Sequence, residues 1–267
     1  MSRIALCTDS SALLPARAAE RLGVTVVPIA ITLDGAAFRE RDDAIDDFYA
    51  RLSEGARATT SQPSPGEFLE AYGLAAAAGA EEVLSIHLDA RISGTVRSAE
   101  LAARGSSIPV TVVDTKTASF GVGLCVRAAA AALARGVSAS EAAHEALSLG
   151  RTLRNAFVAY AHPRGRLPDA AGWSLFQFAD GAVEPIAAGV GLDDAIEAMA
   201  RRVFGEDGEL RAAVGHAAAA TEAAADALTL AVESLTHVES VERYRVGAAV
   251  GAHTGALGFG AFWWPSA

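Results

Sequence analysis

The strongest constraint on this chain is a rhythm. Through roughly its first half, short apolar runs rich in β-branched residues alternate with helical patterns. Each run ends in a cluster of Ser, Thr, Asp or Gly. Residues 3–7 form such a run, closed by Thr8-Asp9-Ser10-Ser11, with a helix opening near Pro15. Residues 24–33 are apolar on both faces and read as one buried strand. Helices at 43–52 and 64–78 precede a strand at 83–88, a helix from Gly94, a strand at 110–113 and a helix from Gly121. This order predicts a mostly parallel sheet covered on both faces, a three-layer α/β/α domain.

After residue 152 the rhythm changes. Strand-like runs at 156–161, 174–179 and 183–187 crowd together, the last two joined by Asp180-Gly181, a hairpin signal. A helix over Leu192–Phe204, a strand over Leu210–His216, a helix at 221–235 and a long strand from Glu242 to about Ala252 follow. The expected organisation is an α/β protein of two subdomains. Residues 1–152 form the N-terminal α/β domain and 153–267 an α+β domain with a mixed or antiparallel sheet, the ligand site lying at their interface.

Composition narrows the function. The chain has 267 residues, is 51% hydrophobic, and carries a net charge of −10; its 22 basic residues include a single lysine, Lys116. Nucleic acid and anionic membranes both demand a basic face, which no Lys/Arg cluster supplies. No apolar run reaches transmembrane length and no secretory leader pattern opens the chain, so a cytoplasmic protein with Cys7 and Cys125 reduced is expected. A Walker A loop, zinc-spaced Cys/His pairs, a His-Glu-x-x-His helix and a Gly-x-Ser-x-Gly elbow are all missing from the sequence. Gly121-Val122-Gly123 lacks the third glycine of a dinucleotide fingerprint.

What remains is a set of hydroxyl and glycine loops at element ends: Thr8-Asp9-Ser10-Ser11, Thr59-Thr60-Ser61-Gln62-Pro63-Ser64, Ile92-Ser93-Gly94-Thr95 and Asp114-Thr115. Ser64, Pro65 and Glu67 spell a helix start with a capping box. Taken singly, such loops are helix caps. Gathered at the carboxyl ends of parallel strands, their hydroxyls and backbone N–H groups suit a carboxylate or phosphate. A further segment, Gly251-Ala252-His253-Thr254-Gly255-Ala256-Leu257-Gly258, reads as a strand ending in a histidine within a glycine-rich turn. Four further histidines, His87, His144, His216 and His237, read as structural. Residues 259–264 read as an aromatic anchor for the C-terminus, and the acidic run from Glu40 to Asp47 as a solvated helix entrance.

Taken in order, these motifs resemble the DegV family of bacterial fatty-acid-binding proteins. The matching residues are Thr8-Asp9-Ser10-Ser11 with Leu14-Pro15, Thr60-Ser61-Gln62-Pro63-Ser64 with Phe68, Ile92-Ser93-Gly94-Thr95 with Ser98-Ala99, Val113-Asp114-Thr115 with Ser119 and Gly121, and His253-Thr254-Gly255. The resemblance implies a carrier that binds a long-chain fatty acid noncovalently, its tail buried between the domains. The carrier is not itself catalytic and needs no cofactor. It presents the acid's carboxylate to a separate ATP-dependent fatty acid kinase subunit, which makes the acyl-phosphate for phospholipid metabolism. Neither nucleic acid nor stable membrane insertion is involved. The residues it implies at the ligand are Thr60, Ser61, Ser93, Gly94, Thr95, Asp114, Arg166, His253 and Thr254, with no metal.

Two stretches depart from the family pattern. Gly255-Ala256-Leu257-Gly258 lacks the family's proline, and residues 160–173 combine an altered Tyr-Ala-His-Pro-Arg-Gly-Arg-Leu motif with a short segment over 168–173. Two alternatives stand beside the carrier. One is an esterase or acyltransferase using Ser93 as nucleophile, His253 as base and Asp114 as orienter. The other is a family member that has lost lipid binding.

Overall fold

The computed structural model describes residues 3–159 and 172–266. Arg166 and nearly all of the departing stretch at 160–173 lie outside the described residues. By packing, the chain divides into two units: Met1–Ala30 with Thr60–Arg151, and Ile31–Thr59 with Thr152–Ala267. The expected split left Ile31–Thr59 in the N-terminal domain. The structure instead groups that segment with the C-terminal half.

The first unit is the α/β half. Strand β1 (Ile4–Asp9) leads through a 3-10 turn (Ser10–Ala12) to helix α1 (Ala16–Leu22) and strand β2 (Val24–Val27). The expected single strand at 24–33 is in fact two. Pro28 interrupts the ladder because it has no N–H to give, and the chain leaves for a different sheet as β3 (Ala30–Leu33). Strand β4 (Ala36–Phe38), helix α2 (Ile45–Ser53) and strand β5 (Ala58–Ser61) follow. The first unit then continues with helix α3 (Pro65–Ala77), strand β6 (Glu82–His87), helix α4 (Thr95–Ala103), strand β7 (Val110–Asp114) and helices α5 (Phe120–Ala134) and α6 (Ala139–Thr152).

Strands β2-β1-β6-β7 form a wholly parallel sheet. Cys7 and Val83 pack on one face against Phe68, Ala71 and Tyr72 of α3 and Ala99 and Ala102 of α4. Alternation along the strands turns Leu6, Leu84 and Ile86 to the opposite face, and α5 contacts β1 and β6. The capping box at the start of α3 forms as the sequence predicts: Ser64 N donates to Glu67 Oε2 at 2.7 Å and Glu67 N to Ser64 Oγ at 3.2 Å.

The second unit is built around a six-stranded mixed sheet. Its elements are β8 (Arg154–Val158), β9 (Trp173–Ala179), β10 (Ala182–Val190), α7 (Leu192–Phe204), β11 (Leu210–His216), α8 (Glu222–Glu233), β12 (Val238–Arg245), α9 (Ala248–Thr254) and β13 (Phe259–Pro265). The order is β10-β9-β8-β13-β11-β12, antiparallel except for β11 with β12. Strand β13 lies inside the sheet between β8 and β11, which is how Phe259, Trp263 and Trp264 become buried anchors. Strands β3 and β4 form a hairpin over Asp34-Gly35, both at positive φ. That dipeptide is the same turn signal as Asp180-Gly181.

The expected long strand to Ala252 stops at Arg245. Gly247 then caps α9, and the run Ala248-Ala249-Val250-Gly251-Ala252 turns helical, as alanine favours. His253 therefore stands in the last turn of a helix and not at a strand end.

Candidate functional site

The parallel register brings three strand ends of the first unit side by side. Thr8 pairs with Ile86, and His87 with Asp114. The loops beyond them are tied together. Thr115 Oγ1 donates to His87 O at 2.8 Å, Asp89 N to Thr117 O at 2.9 Å, and Ile29 N to Ser10 Oγ at 3.0 Å. Inside the loop after β6, Asp89 is fully buried and receives the Arg91 guanidinium at 2.6 Å. Burial pushes the Asp89 carboxyl up, but the Arg91 side chain and backbone N–H outweigh it and hold the group below its ordinary value.

Ser93, Gly94 and Thr95 form the mouth of α4. Ser93 Oγ and Thr95 Oγ1 lie 2.8 Å apart, and Thr95 N donates to Ser93 Oγ at 3.3 Å. Thr95 is buried while Ser93 stays half-exposed. The loop after β5 meets this mouth through Gln62. A Cβ on Gly94 would lie 2.5 Å from Gln62 Nε2, so the amide rests against a bare backbone. Thr60, Ser61, Ser93, Gly94 and Thr95 all belong to the first unit, and Gln62, which sequence reasoning left unassigned, links the two loops. Serine and threonine hydroxyls beside the unpaired N–H groups of a helix start are suited to an anionic oxygen.

Asp114 is differently employed. Its carboxylate accepts from Lys116 Nζ at 2.5 Å and Lys116 N at 3.2 Å. The chain's one lysine thus pairs with the Asp114 carboxylate. The same pairing takes Asp114 away from the orienting role that a triad would ask of it.

A Ser–His–Asp chain does exist, built on Asp9 of the first loop and on His87, which the sequence reads as structural, with Ser85 and Tyr72 added. Tyr72 OH lies 2.9 Å from Ser85 Oγ, Ser85 Oγ 2.7 Å from His87 Nε2, and His87 Nδ1 2.8 Å from Asp9 Oδ2. Asp9 also accepts from Ser11 N and Ser11 Oγ. Tyr72, Ser85, His87 and Asp9 are all 0% exposed, and Phe68 closes over the imidazole at 4.9 Å between ring centroids. No substrate reaches such a serine; the network satisfies polar groups inside the α3 layer and ties the end of β1 to β6. Cys7 and Cys125 are buried too, and burial pushes each thiol up to about 12, which leaves neither a nucleophile.

His253 and Thr254 belong to the second unit. The His253 side chain keeps an exposed edge, yet the protein around it removes enough water to hold the imidazole below its ordinary pKa. Thr254 Oγ1 donates back to Val250 O at 3.4 Å. Of the other histidines, His216 lies between arginines and is likewise held low, by burial first and then by Arg245 and Arg243. Among the described residues no cluster of His, Cys, Asp or Glu has the makings of a metal site, and no helix is long and apolar enough to cross a membrane.

Fold and site together define a two-unit α/β protein with hydroxyl-lined loops at the carboxyl ends of a parallel sheet. The chain belongs to the DegV family, whose model, described as "Uncharacterised protein, DegV family", matches residues 3–266. It is 36% identical over 275 residues to a DegV domain-containing protein of Streptomyces coelicolor, covering 96% of each chain. Among solved structures, it resembles a DegV family protein from Thermus thermophilus described as fatty acid binding. That match has a TM-score of 0.87 and 32% identity over 98% of this chain and 99% of the other. It also resembles DegV, a fatty acid binding protein from Bacillus subtilis, with a TM-score of 0.84 and 26% identity over 100% of both chains.

Proposed function

We propose that this protein is a fatty acid carrier. It binds one long-chain acid noncovalently and presents the carboxylate to a separate ATP-dependent kinase subunit, which forms the acyl-phosphate used in phospholipid metabolism in the cytoplasm. The observation that carries the reading is the near full-length match, at 32% identity, to the fatty-acid-binding protein of Thermus thermophilus. The hydroxyl pair at the mouth of α4 supports it chemically, because Ser93 and Thr95 bring hydroxyls to a helix start, where a carboxylate is favoured. In this reading Thr60, Ser61, Ser93, Gly94, Thr95, His253 and Thr254 hold the head group. Asp114 acts through Lys116, and Arg166 contributes a cation. The chain performs no catalysis and takes no cofactor.

Each methylene of the acyl tail removed from water adds about 0.8 kcal/mol, roughly a fourfold gain in affinity, until the pocket is full. The test is solvent extraction and mass spectrometry of protein purified without added ligand, with the native mass recorded alongside. One fatty acid per chain is the expected result. A folded, empty protein that also refuses added acids of about ten to twenty carbons would overturn the carrier reading.

A further inference from the structure

The acidic run from Glu40 to Asp47 reads from sequence as a solvated helix entrance, but the structure puts it to work on α9. The Tyr49 hydroxyl, on a ring that is 1% exposed, donates to Val246 O at 2.9 Å and lies 3.5 Å from the carbonyl of Gly247, the residue that caps α9. Asp46 accepts from Arg245 Nη2 at 2.6 Å, and that guanidinium sits 5.7 Å from the centroid of the Tyr49 ring. Glu40 Oε1 accepts from Ala249 N at 3.4 Å, which sets a carboxylate at the positive end of the helix. Further along, the bare backbone of Gly251 lies against Tyr49, where a Cβ would overlap the phenol.

Helix α9 is seven residues long. A helix that short is not stable by itself, so its place is set by whatever grips it. The grip is at its base, and His253 and Thr254 stand one to two turns above.

We propose that Tyr49 is a positioning residue, assisted by Asp46 and Glu40: from a segment some two hundred residues earlier in sequence, it clamps the base of α9 and thereby sets where the His253 imidazole is held. The inference rests on the reading of His253 as a head-group residue. A binding constellation must be held to within about 0.5 Å. One residue of helix slip moves a side chain about 1.5 Å, so a loosened clamp should register at His253.

The test uses the full chain and palmitic acid as probe. Three readouts serve: palmitate affinity, the imidazole carbon–proton resonances of His253 assigned against His253→Ala, and the double variant with His253→Ala. Tyr49→Phe removes one oxygen and is expected to lower palmitate affinity roughly tenfold. It should also shift the His253 resonances in ligand-free protein, and add less than about twofold when His253 is already alanine. Val232→Ala, a core truncation on α8, should leave those resonances in place at a comparable loss of stability.

Unshifted His253 resonances with native affinity in Tyr49→Phe would overturn the clamp. So would a tenfold loss that persists in full in the His253→Ala background. Should Tyr49→Phe not fold, Asp46→Asn at an exposed position is read in the same three ways. If His253→Ala leaves palmitate affinity unchanged, the head-group reading fails, while the ligand-free resonances still decide the clamp.

Discussion

The mouth of α4 and the far end of α9 both carry hydroxyls, but they are held by different means. Ser93, Gly94 and Thr95 follow a buried parallel strand whose end is fixed by the Asp9–His87–Ser85–Tyr72 chain and by ties to neighbouring loops. His253 stands on a seven-residue helix gripped by Tyr49, Asp46 and Glu40. One arrangement is anchored by a core, the other by a strap. A core-anchored loop should lose its position only when the core fails, whereas a strapped helix can be loosened without unfolding anything.

The sharpest way to break that contrast is at Asp9. Asp9→Ala leaves the buried His87 imidazole without its acceptor and should cost about 3 kcal/mol. The loss would be read as a lower urea midpoint, and a change well under 1 kcal/mol would mean the network is not an anchor. Gly94→Ala acts next in size and on binding more than on stability. The new methyl must displace the Gln62 side chain, and because that side chain is flexible the fold should survive while fatty acid affinity falls about tenfold. Isothermal titration of the folded variant checks this; native affinity would remove Gln62 and Gly94 from the site.

Ser64→Ala takes away the capping box of α3 and should lower stability by about 1 kcal/mol, measurable by thermal melting, with affinity changed little. The smallest effect is a pH slope. His216 and His253 are both held below the ordinary histidine value of about 6.5. Below that value the unfolded chain binds more protons than the folded one, so stability falls as the pH drops through the window beneath about 6.5. Replacing His216 with Gln should flatten the slope of the urea midpoint against pH; an unchanged slope would assign it elsewhere.

Sequence made the core-anchored half legible and the strapped half obscure, for physical reasons. Parallel strands buried on both faces are nearly continuous apolar runs, and the loops after them must collect small hydroxyl residues. Ser93-Gly94-Thr95 and Asp114-Thr115 are therefore legible from sequence. The capping box at Ser64 is a local pattern and was readable as such. The sheet change at Pro28 could have been read from the proline itself, and the hairpin at Asp34-Gly35 from its turn dipeptide. The allegiance of Ile31–Thr59 could not, because its partners lie at Arg245 to Gly251, far along the chain. Nor could the employment of His87 or Lys116. A strand histidine looks the same whether it faces a hydrogen-bond relay or packed apolar side chains, and the Asp114 partner depends on a backbone turn at positive φ. At residues 246–254 an alanine-rich run adjoins a strand and prolongs its apolar pattern, although alanine gives its preference to the helix.

The discontinuity of the second unit has a consequence for how the protein is made. Helix α2 leaves the ribosome some two hundred residues before the segment it grips, Arg245 to Gly251. At roughly 5–20 residues per second, that is a delay on the order of ten to forty seconds. During that interval Tyr49, 1% exposed in the finished molecule, lacks the backbone of Val246, Gly247 and Gly251 that its hydroxyl and ring meet. Meanwhile the first unit has all its strands in hand once residue 151 is out. A nascent chain of this design therefore completes its parallel sheet while a looped-out α2 waits, and it is that waiting segment which a cell's folding helpers would meet.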